Sequence, residues 1–201
     1  SLWVDKFIAA RNLISSLKVC IPKRKIVELW AGNIFAKNQP QIKLSSIRTN
    51  KIPIIVHAPS ELEIKGTKFI REAVKDLKKK RIKFIYKEIS KVPHNEALEI
   101  YRDADIIIDQ MLLGTLGTLG FEVMHIGKPL VSFVIDKDWE GDLPELPIWN
   151  VNIDNLTEKL EILIKDPDLR ISIAKKSYLY VEKVFNFEII QNQLIVLYKS
   201  L

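Results

Sequence analysis

The residues best suited to chemistry lie in a glycine-spaced stretch, residues 114–124. Gly114, Gly117 and Gly120 recur at every third position, and Glu122 follows in an apolar segment. Glycines let a backbone approach phosphate oxygens closely, and the N–H groups that open a helix attract negative charge. The pattern therefore predicts a site for a phosphorylated ligand, with Glu122 placed to accept hydrogen bonds from sugar hydroxyls. The alternative is a helix that packs closely on its sheet and has a solvated glutamate.

The elements that would position this stretch alternate regularly between residues 53 and 135. Short apolar runs at 53–57, 82–86, 106–108 and 129–134 predict strands, and helical spacing predicts helices at 66–80, at 94–101 and after the glycine loop. This βαβαβαβ pattern predicts an α/β fold with a doubly wound parallel sheet and helices on both faces. Ligands of such folds bind at the carboxyl ends of the strands, where the glycine loop falls.

The two ends of the chain differ from this alternation. Apolar residues at helical spacing predict a helix over 2–17, and Lys25–Leu29 is predicted to be a strand. Residues 37–51 are polar and are predicted to be a linker or surface loop. Three closing helices are expected at 155–165, 167–184 and 187–201, with Asp154 or Asn155 and Asp166 as N-caps. We therefore expect residues 1–24 to be a helix and connector from a preceding domain, and 25–201 to be one Rossmann-like domain.

Composition narrows the class of protein. The 201 residues are 47% hydrophobic, and the single Cys20 and three histidines form no zinc-ligand spacing, so no metal is expected. With one cysteine and no apolar stretch long enough to span a bilayer, a cytoplasmic location is expected. The net charge of +6 owes much to the run KKKR at 78–81, which either complements a helix C-terminus or attracts an anionic membrane surface. Nucleic acid is not an expected partner, because no stacking aromatics accompany the basic residues.

Several motifs in register resemble the C-terminal domain of group 1 glycosyltransferases, which are retaining enzymes of the GT-B fold. They are HAPS at 57–60, KGT at 65–67, VPHNEAL at 92–98, YRDADIIIDQ at 101–110, the glycine stretch at 114–124 and GKPLV at 127–131. Residues 22–35 resemble the segment by which that family's chain leaves its N-terminal domain. The resemblance spans roughly residues 20–201.

The resemblance implies a role for individual residues in binding a nucleoside-diphosphate sugar. Lys65 would contact the diphosphate, and its ammonium is a point charge suited to phosphate. The N–H groups of Gly117, Thr118 and Leu119 would bind the same phosphates, and Glu122 would accept from the ribose hydroxyls. Further contacts to the nucleobase or sugar are expected from Ser60, Val92, Pro93, Asp109, Gly114 and Thr115.

This sequence departs from the family pattern at two positions. Gly114 stands where the first glutamate of the E-x7-E motif should be, and Ser60 stands where an arginine commonly assists the lysine. The departures leave two readings open. One is a donor-binding domain of a hexosyltransferase-type enzyme that works with retention, without a cofactor, and with catalytic residues not assigned here. The other is a non-catalytic nucleotide-binding or protein-interaction module of the same fold.

The resemblance also implies a partner. Because the acceptor-binding N-terminal domain of the family is not in this sequence, we expect the chain alone to bind donor without turnover. His57, His94 and His125 are predicted to pack or to cap helices rather than to act as bases. Lys65 is expected to be exposed, so that its removal would leave the unliganded fold intact.

Overall fold

The computed structural model describes residues 6–10, 25–29, 42–135, 145–185 and 187–199, and its strands form two sheets. The first sheet has two parallel strands, β1 (Lys6–Ala10) and β2 (Lys25–Leu29), with Lys6 opposite Lys25. The strand at Lys25–Leu29 is therefore confirmed, but the helix predicted over 2–17 is wrong at Lys6–Ala10. A short apolar run fits a strand or a helix by periodicity alone, and the ladder to β2 decides for the strand.

The second sheet contains five parallel strands and confirms the predicted doubly wound architecture. Its strands are β3 (Ile54–His57), β4 (Ile85–Glu88), β5 (Ile106–Ile108), β6 (Leu130–Ser132) and β7 (Trp149–Asn150). They lie in the order β4-β3-β5-β6-β7. The chain runs from β3 outward to β4 and then returns to β5 on the other side of β3. This reversal places a topological switch point between the carboxyl ends of β3 and β5, where a ligand crevice is expected.

The described part of the chain contains six helices of eight or more residues. They are α1 (Thr67–Lys79), α2 (His94–Asp103), α3 (Thr118–His125), α4 (Leu156–Lys165), α5 (Pro167–Val184) and α6 (Phe187–Lys199). Asp166 caps α5 as predicted, because its side chain accepts from the N–H of Leu169 at 2.8 Å. Asn155 precedes α4, but its side chain accepts from the N–H of Asn152 instead of from the helix.

The core lies on both faces of the sheet, as parallel strands require. The three isoleucines of β5 are completely buried. Ile107 faces a cluster that includes side chains of α2, α3 and α5, while Ile106 and Ile108 face a second cluster with side chains of α1 and α4. The central strand β5 is thus covered on both of its faces.

Three differences from the predicted elements remain. β4 begins at Ile85, three residues later than predicted, and the two-residue strand β7 was not predicted. The predicted loop at 37–51 is described only from residue 42, where it contains one 3-10 turn at Leu44–Ser46. None of the described helices is long and apolar enough to cross a membrane.

Candidate functional site

Lys65 is held at the switch point by an ion pair that the sequence did not indicate. It follows β3, and its ammonium donates to Oδ1 of Asp109, the residue directly after β5. The Lys65 side chain is 12% exposed and the Asp109 side chain is fully buried. The expectation of an exposed, unpaired lysine is therefore wrong. A ligand phosphate at this position would compete with Asp109 for the ammonium.

Gly117 brings the start of α3 against this pair. It is the N-cap of α3, and a Cβ placed on it would lie 3.5 Å from Oδ2 of Asp109 and 3.8 Å from Nζ of Lys65. The N–H groups of Thr118 and Leu119, in the first turn, have no intrahelical acceptor. Thr118 is exposed and Leu119 is half-buried. A cation and two free amide donors therefore meet at one place, an arrangement suited to an anion.

The loop between β5 and α3 is shaped by Gln110 and Gly114. The Gln110 amide donates to the carbonyls of Thr115 and Phe133 at 2.8 and 2.5 Å, and its oxygen accepts from the N–H of Leu113 at 2.7 Å. Gly114 has a φ of +71°, and a Cβ there would lie 2.7 Å from the Cδ1 of Ile135. This backbone leaves no room for a side chain at 114, the position of the missing glutamate.

Two polar atoms in this region are buried without a hydrogen-bond partner among the described residues. They are Oδ2 of Asp109 and Oγ1 of Thr115. A buried acceptor without a partner costs roughly 1–3 kcal/mol, and more when it is charged. The site therefore contains two buried oxygens that lack hydrogen-bond partners among the described residues, close to the amide donors of α3.

Glu122 lies in the second turn of α3 and already has a partner. Its Oε1 is 2.9 Å from Nε2 of His94, the first residue of α2. The Glu122 side chain is 10% exposed, whereas that of His94 is 59% exposed. Tyr101 of α2 lies nearby, and burial, together with the negative charges of Glu122 and Asp109, raises its pKa to about 12. His94 thus orients the carboxylate that was predicted to bind ribose, and no hydrogen bond to the second carboxylate oxygen is found among the described residues.

The remaining predicted contact residues surround these groups unevenly. Ser60 is exposed in the loop after β3, and Pro93 is exposed at the N-cap of α2. Val92 packs against the core cluster on the α2 side of the sheet. The structure thus brings together Lys65, Asp109 and Gly117, with Glu122 about 7–8 Å further along the helix axis from Gly117. It gives no direct contact that draws Ser60 into the group.

The histidines outside this group have structural roles. His57 is completely buried, with Nδ1 2.9 Å from the carbonyl of Ile108 and Nε2 2.9 Å from Oγ1 of Thr67. Burial lowers the pKa of both His57 and His125. Among the described residues, no three His, Cys, Asp or Glu side chains are grouped so that they could hold a metal ion.

Sequence reasoning missed the partners within the site. Asp109 was predicted as a sugar or loop contact, and His94 as a helix-start residue, but neither was paired with a ligand-binding residue. The order of the strands is what joins them. Asp109 and Lys65 follow neighbouring strands, and His94 opens the helix that follows β4, on the same edge of the sheet. The run Asp109-Gln110 after a buried strand was the one local indication.

Comparisons with known proteins identify the fold and no closer relationship. No family model matches the chain, and no curated protein is similar to it in sequence. Among solved structures, TarM from S. aureus, in a complex that includes UDP, matches with a TM-score of 0.71 at 14% identity, covering 96% of this chain and 43% of TarM. The pneumococcal O-GlcNAc transferase GtfA, solved with UDP and GlcNAc, matches with a TM-score of 0.69 at 15% identity, covering 98% of this chain and 45% of GtfA.

A third solved structure gives the same result. Sucrose-phosphate synthase from Thermosynechococcus elongatus matches with a TM-score of 0.69 at 14% identity, covering 98% of this chain and 58% of the synthase. The chain therefore spans about half the length of these structures. Its fold is that of a Rossmann-like part of glycosyltransferases.

Proposed function

We propose that this chain is the donor-binding domain of a glycosyltransferase that moves a sugar from a nucleoside-diphosphate sugar to an acceptor with retention of configuration. The observation that carries the proposal is the meeting of Lys65 and the first turn of α3 at the switch point of the sheet, with Glu122 in the next turn of the same helix. A cation and free amides suit a diphosphate, and a buried carboxylate suits a vicinal diol. The fold shared with glycosyltransferases adds support.

In this proposal each group has one task. The ammonium of Lys65 and the N–H groups of Thr118 and Leu119 bind the diphosphate, whose negative charge grows as the sugar departs. Donors already aimed at that charge lower the barrier. Glu122 accepts hydrogen bonds from the ribose, while its contact with His94 holds its side chain in place.

The ion pair between Lys65 and Asp109 affects which groups would bind the diphosphate. Because Asp109 already neutralises Lys65, the diphosphate gains less from this lysine than it would from an unpaired ammonium. The free amides of α3 therefore contribute a larger share of the phosphate binding than the sequence suggested.

An acceptor-binding domain completes the proposed enzyme. Isolated two-stranded sheets are marginally stable, so the parallel pair β1–β2 fits a larger sheet formed with further residues. The α6 helix exposes Ile195, Val196 and Tyr198, at 43%, 67% and 65% of their surfaces. These side chains are the proposed contact surface for that domain, without which the chain binds donor and does not transfer sugar.

A non-catalytic nucleotide-binding module is the second candidate, and Gly114 favours it. A carboxylate side chain at this position would collide with Ile135 and would need a left-handed backbone. Restoring the missing glutamate would thus require a strained left-handed backbone and a shift of the Ile135 side chain. This alternative predicts donor binding that no added domain converts into turnover.

Calorimetric titration tests the binding site. Nucleosides, monophosphates and diphosphates of each base are compared on the wild type, Glu122→Gln, Asp109→Asn and the double variant Lys65→Met/Asp109→Asn. The double variant removes the lysine without leaving a buried unpaired carboxylate. Glu96→Gln, which changes an exposed glutamate in the first turn of α2, is the matched control.

The proposal predicts how each variant's affinity changes between nucleosides and phosphorylated ligands. Glu122→Gln weakens nucleoside and diphosphate alike, because both carry the ribose. The double variant weakens only the phosphorylated ligands relative to Asp109→Asn, by about tenfold for one lost charge-assisted bond. If no nucleoside diphosphate binds, or if the double variant binds it as well as Asp109→Asn does, the site is wrong. Turnover in the longer protein, with the anomeric configuration of the product read by NMR, then separates the enzyme from the non-catalytic module.

A further inference from the structure

A second pocket lies at the opposite edge of the sheet, where the strands begin. Its volume is about 340 Å³, and its walls come from the segment before β3, the end of α2 and the turn between α3 and β6. Three cationic residues line it, Arg48, Arg102 and Lys128, and none of its lining residues is acidic. Ile42, Ile47 and Ile126 form the apolar part of the wall. Pockets of this size accommodate small organic molecules.

Two of the cations have local partners. Arg48 donates to the carbonyls of Ser45 and Ile47, at the end of the 3-10 turn. Arg102 lies in the last turn of α2 and pairs with Glu99 one turn earlier. Cations at these places complement the negative end of a helix. Helix capping therefore explains both arginines without a ligand.

Lys128 is not explained in this way. It is half-buried, and no hydrogen bond or ion pair to its ammonium is found among the described residues. Burial lowers its pKa, and the charges of Asp105 and Asp103 oppose that shift from a distance. A half-buried ammonium loses part of its hydration, which costs free energy unless a partner replaces the lost water. In a pocket, such a group indicates a binding site.

Asp105, whose charge acts on Lys128, is already occupied by other donors. Both carboxylate oxygens of Asp105 accept hydrogen bonds, from the hydroxyl of Thr49, the N–H and side-chain amide of Asn50 and the N–H of Ile54, at 2.7–3.0 Å. These four donors hold Asp105 toward β3. Asp105 therefore cannot turn to pair with Lys128 without giving up bonds of its own.

The charges of the pocket leave room for an anion. The C-termini of α2 and α3 contribute roughly half a negative charge each, and Glu99 contributes one more. The lining itself carries three cations and no acidic residue, while the carboxylates of Asp103 and Asp105 act on Lys128 from outside the lining. Guanidinium groups bind phosphate with two parallel bonds, and an ammonium adds a point charge. A phosphate with an apolar substituent would match both the charge and the isoleucine wall.

We propose that this pocket binds a small phosphate ester, with its phosphate on Lys128, Arg48 and Arg102 and its organic part on Ile42, Ile47 and Ile126. The site is separate from the proposed donor site, since it lies at the other edge of the sheet. The phosphate ester is either a soluble compound or the headgroup of an anionic lipid, and the two sources share this chemistry.

Binding of butyl phosphate and of inorganic phosphate to the chain tests the proposal, by calorimetry and thermal shift. Lys128→Met removes the ammonium and keeps most of the side chain's length, and Arg48→Gln is a second variant. Lys83→Met, at an exposed lysine of the same edge, is the matched control. Phosphatidylcholine vesicles with and without phosphatidic acid test the lipid source, and binding of a nucleoside diphosphate is measured on every variant.

The expected result is that butyl phosphate binds the wild type and Lys83→Met more tightly than inorganic phosphate does. Lys128→Met should weaken butyl phosphate by about tenfold or more, and Arg48→Gln by several-fold. Lys128→Met should also retain or raise the unliganded melting temperature and leave nucleoside diphosphate binding unchanged. Vesicle binding that requires both phosphatidic acid and Lys128 would identify the ligand as a lipid headgroup. If the vesicles do not bind in this way, the ligand is the soluble ester. Equal affinity of wild type and Lys128→Met for butyl phosphate, or no binding to either, would overturn the proposal.

Discussion

Replacing Lys65 should destabilise the unliganded chain strongly, although a lysine near a loop is usually dispensable. The reason is Asp109, which is completely buried, has Lys65 as its ionic partner and carries a second oxygen that has no hydrogen-bond partner in the described part of the chain. Lys65→Met leaves this carboxyl group without its counterion inside the protein. Removing one partner of a buried pair typically costs about 3–5 kcal/mol.

The size of the stability loss expected for Lys65→Met follows from the exposure of the Lys65 and Asp109 side chains. Because Lys65 is 12% exposed, some water can reach the vacated position, so we expect a cost near the lower limit, about 3 kcal/mol. At about 2–4 °C per kcal/mol for a chain of this length, the melting temperature should fall by about 6–12 °C. Asp109→Asn removes the buried charge and should cost about 1–2 kcal/mol. The double variant should lose less stability than the sum of the two single losses. The difference is the coupling energy, which we expect to be about 1–3 kcal/mol.

Urea unfolding of the four proteins, with equal m-values as the check on two-state behaviour, measures this cycle. Lys68→Met, at the exposed second residue of α1, is the control and should change stability by less than about 0.5 kcal/mol. A loss below about 1 kcal/mol for Lys65→Met, together with a coupling energy near zero, would refute the reasoning. It would mean that Asp109 is solvated or paired in another way in solution.

Two further predictions concern pH and the glycine loop. Burial lowers the folded-state pKa of His57 below its ordinary value of 6.5, so the unfolded chain binds the extra proton first. Stability should be full above that value and fall as the pH drops below it, by up to about 1.4 kcal/mol per pH unit for this residue. The urea-unfolding midpoint, measured from about pH 7.5 to 5.5, should depend less on pH in His57→Gln than in the wild type. His125 should contribute part of the pH dependence that remains in this variant. Gly114→Ala should cost about 2 kcal/mol or more because of its positive φ and the contact with Ile135. Gly117→Ala should cost far less stability, so thermal melting that ranks the two glycine variants the other way would contradict this account.

Local patterns in the sequence determined most of the fold. Apolar residues at helical spacing located α1, α2 and the closing helices within one or two residues of their ends, because a helix's buried face repeats every 3.6 residues. The isoleucines of β5 predicted a fully buried strand, since parallel strands are covered on both faces. The alternation of these elements then predicted the doubly wound sheet and placed the glycine loop at the carboxyl ends of the strands.

The same local patterns failed where long-range pairing decides. Residues 6–10 look helical in isolation, but a parallel ladder to β2 makes them a strand. β4 begins late because its pairing with β3 begins at Ile54 opposite Ile85. Neither register is encoded in the spacing of one segment.

Only the tertiary structure decided which charges meet. Lys65 and Asp109 are 44 residues apart, and His94 and Glu122 are 28 residues apart. Each pair forms because the crossover order β4-β3-β5 brings their loops to one edge of the sheet. The sequence named Lys65 through the family resemblance and Glu122 through the glycine-spaced stretch as ligand-binding residues, and both roles stay predictions. It could not show that each has a partner within the protein, because that depends on which strands are neighbours.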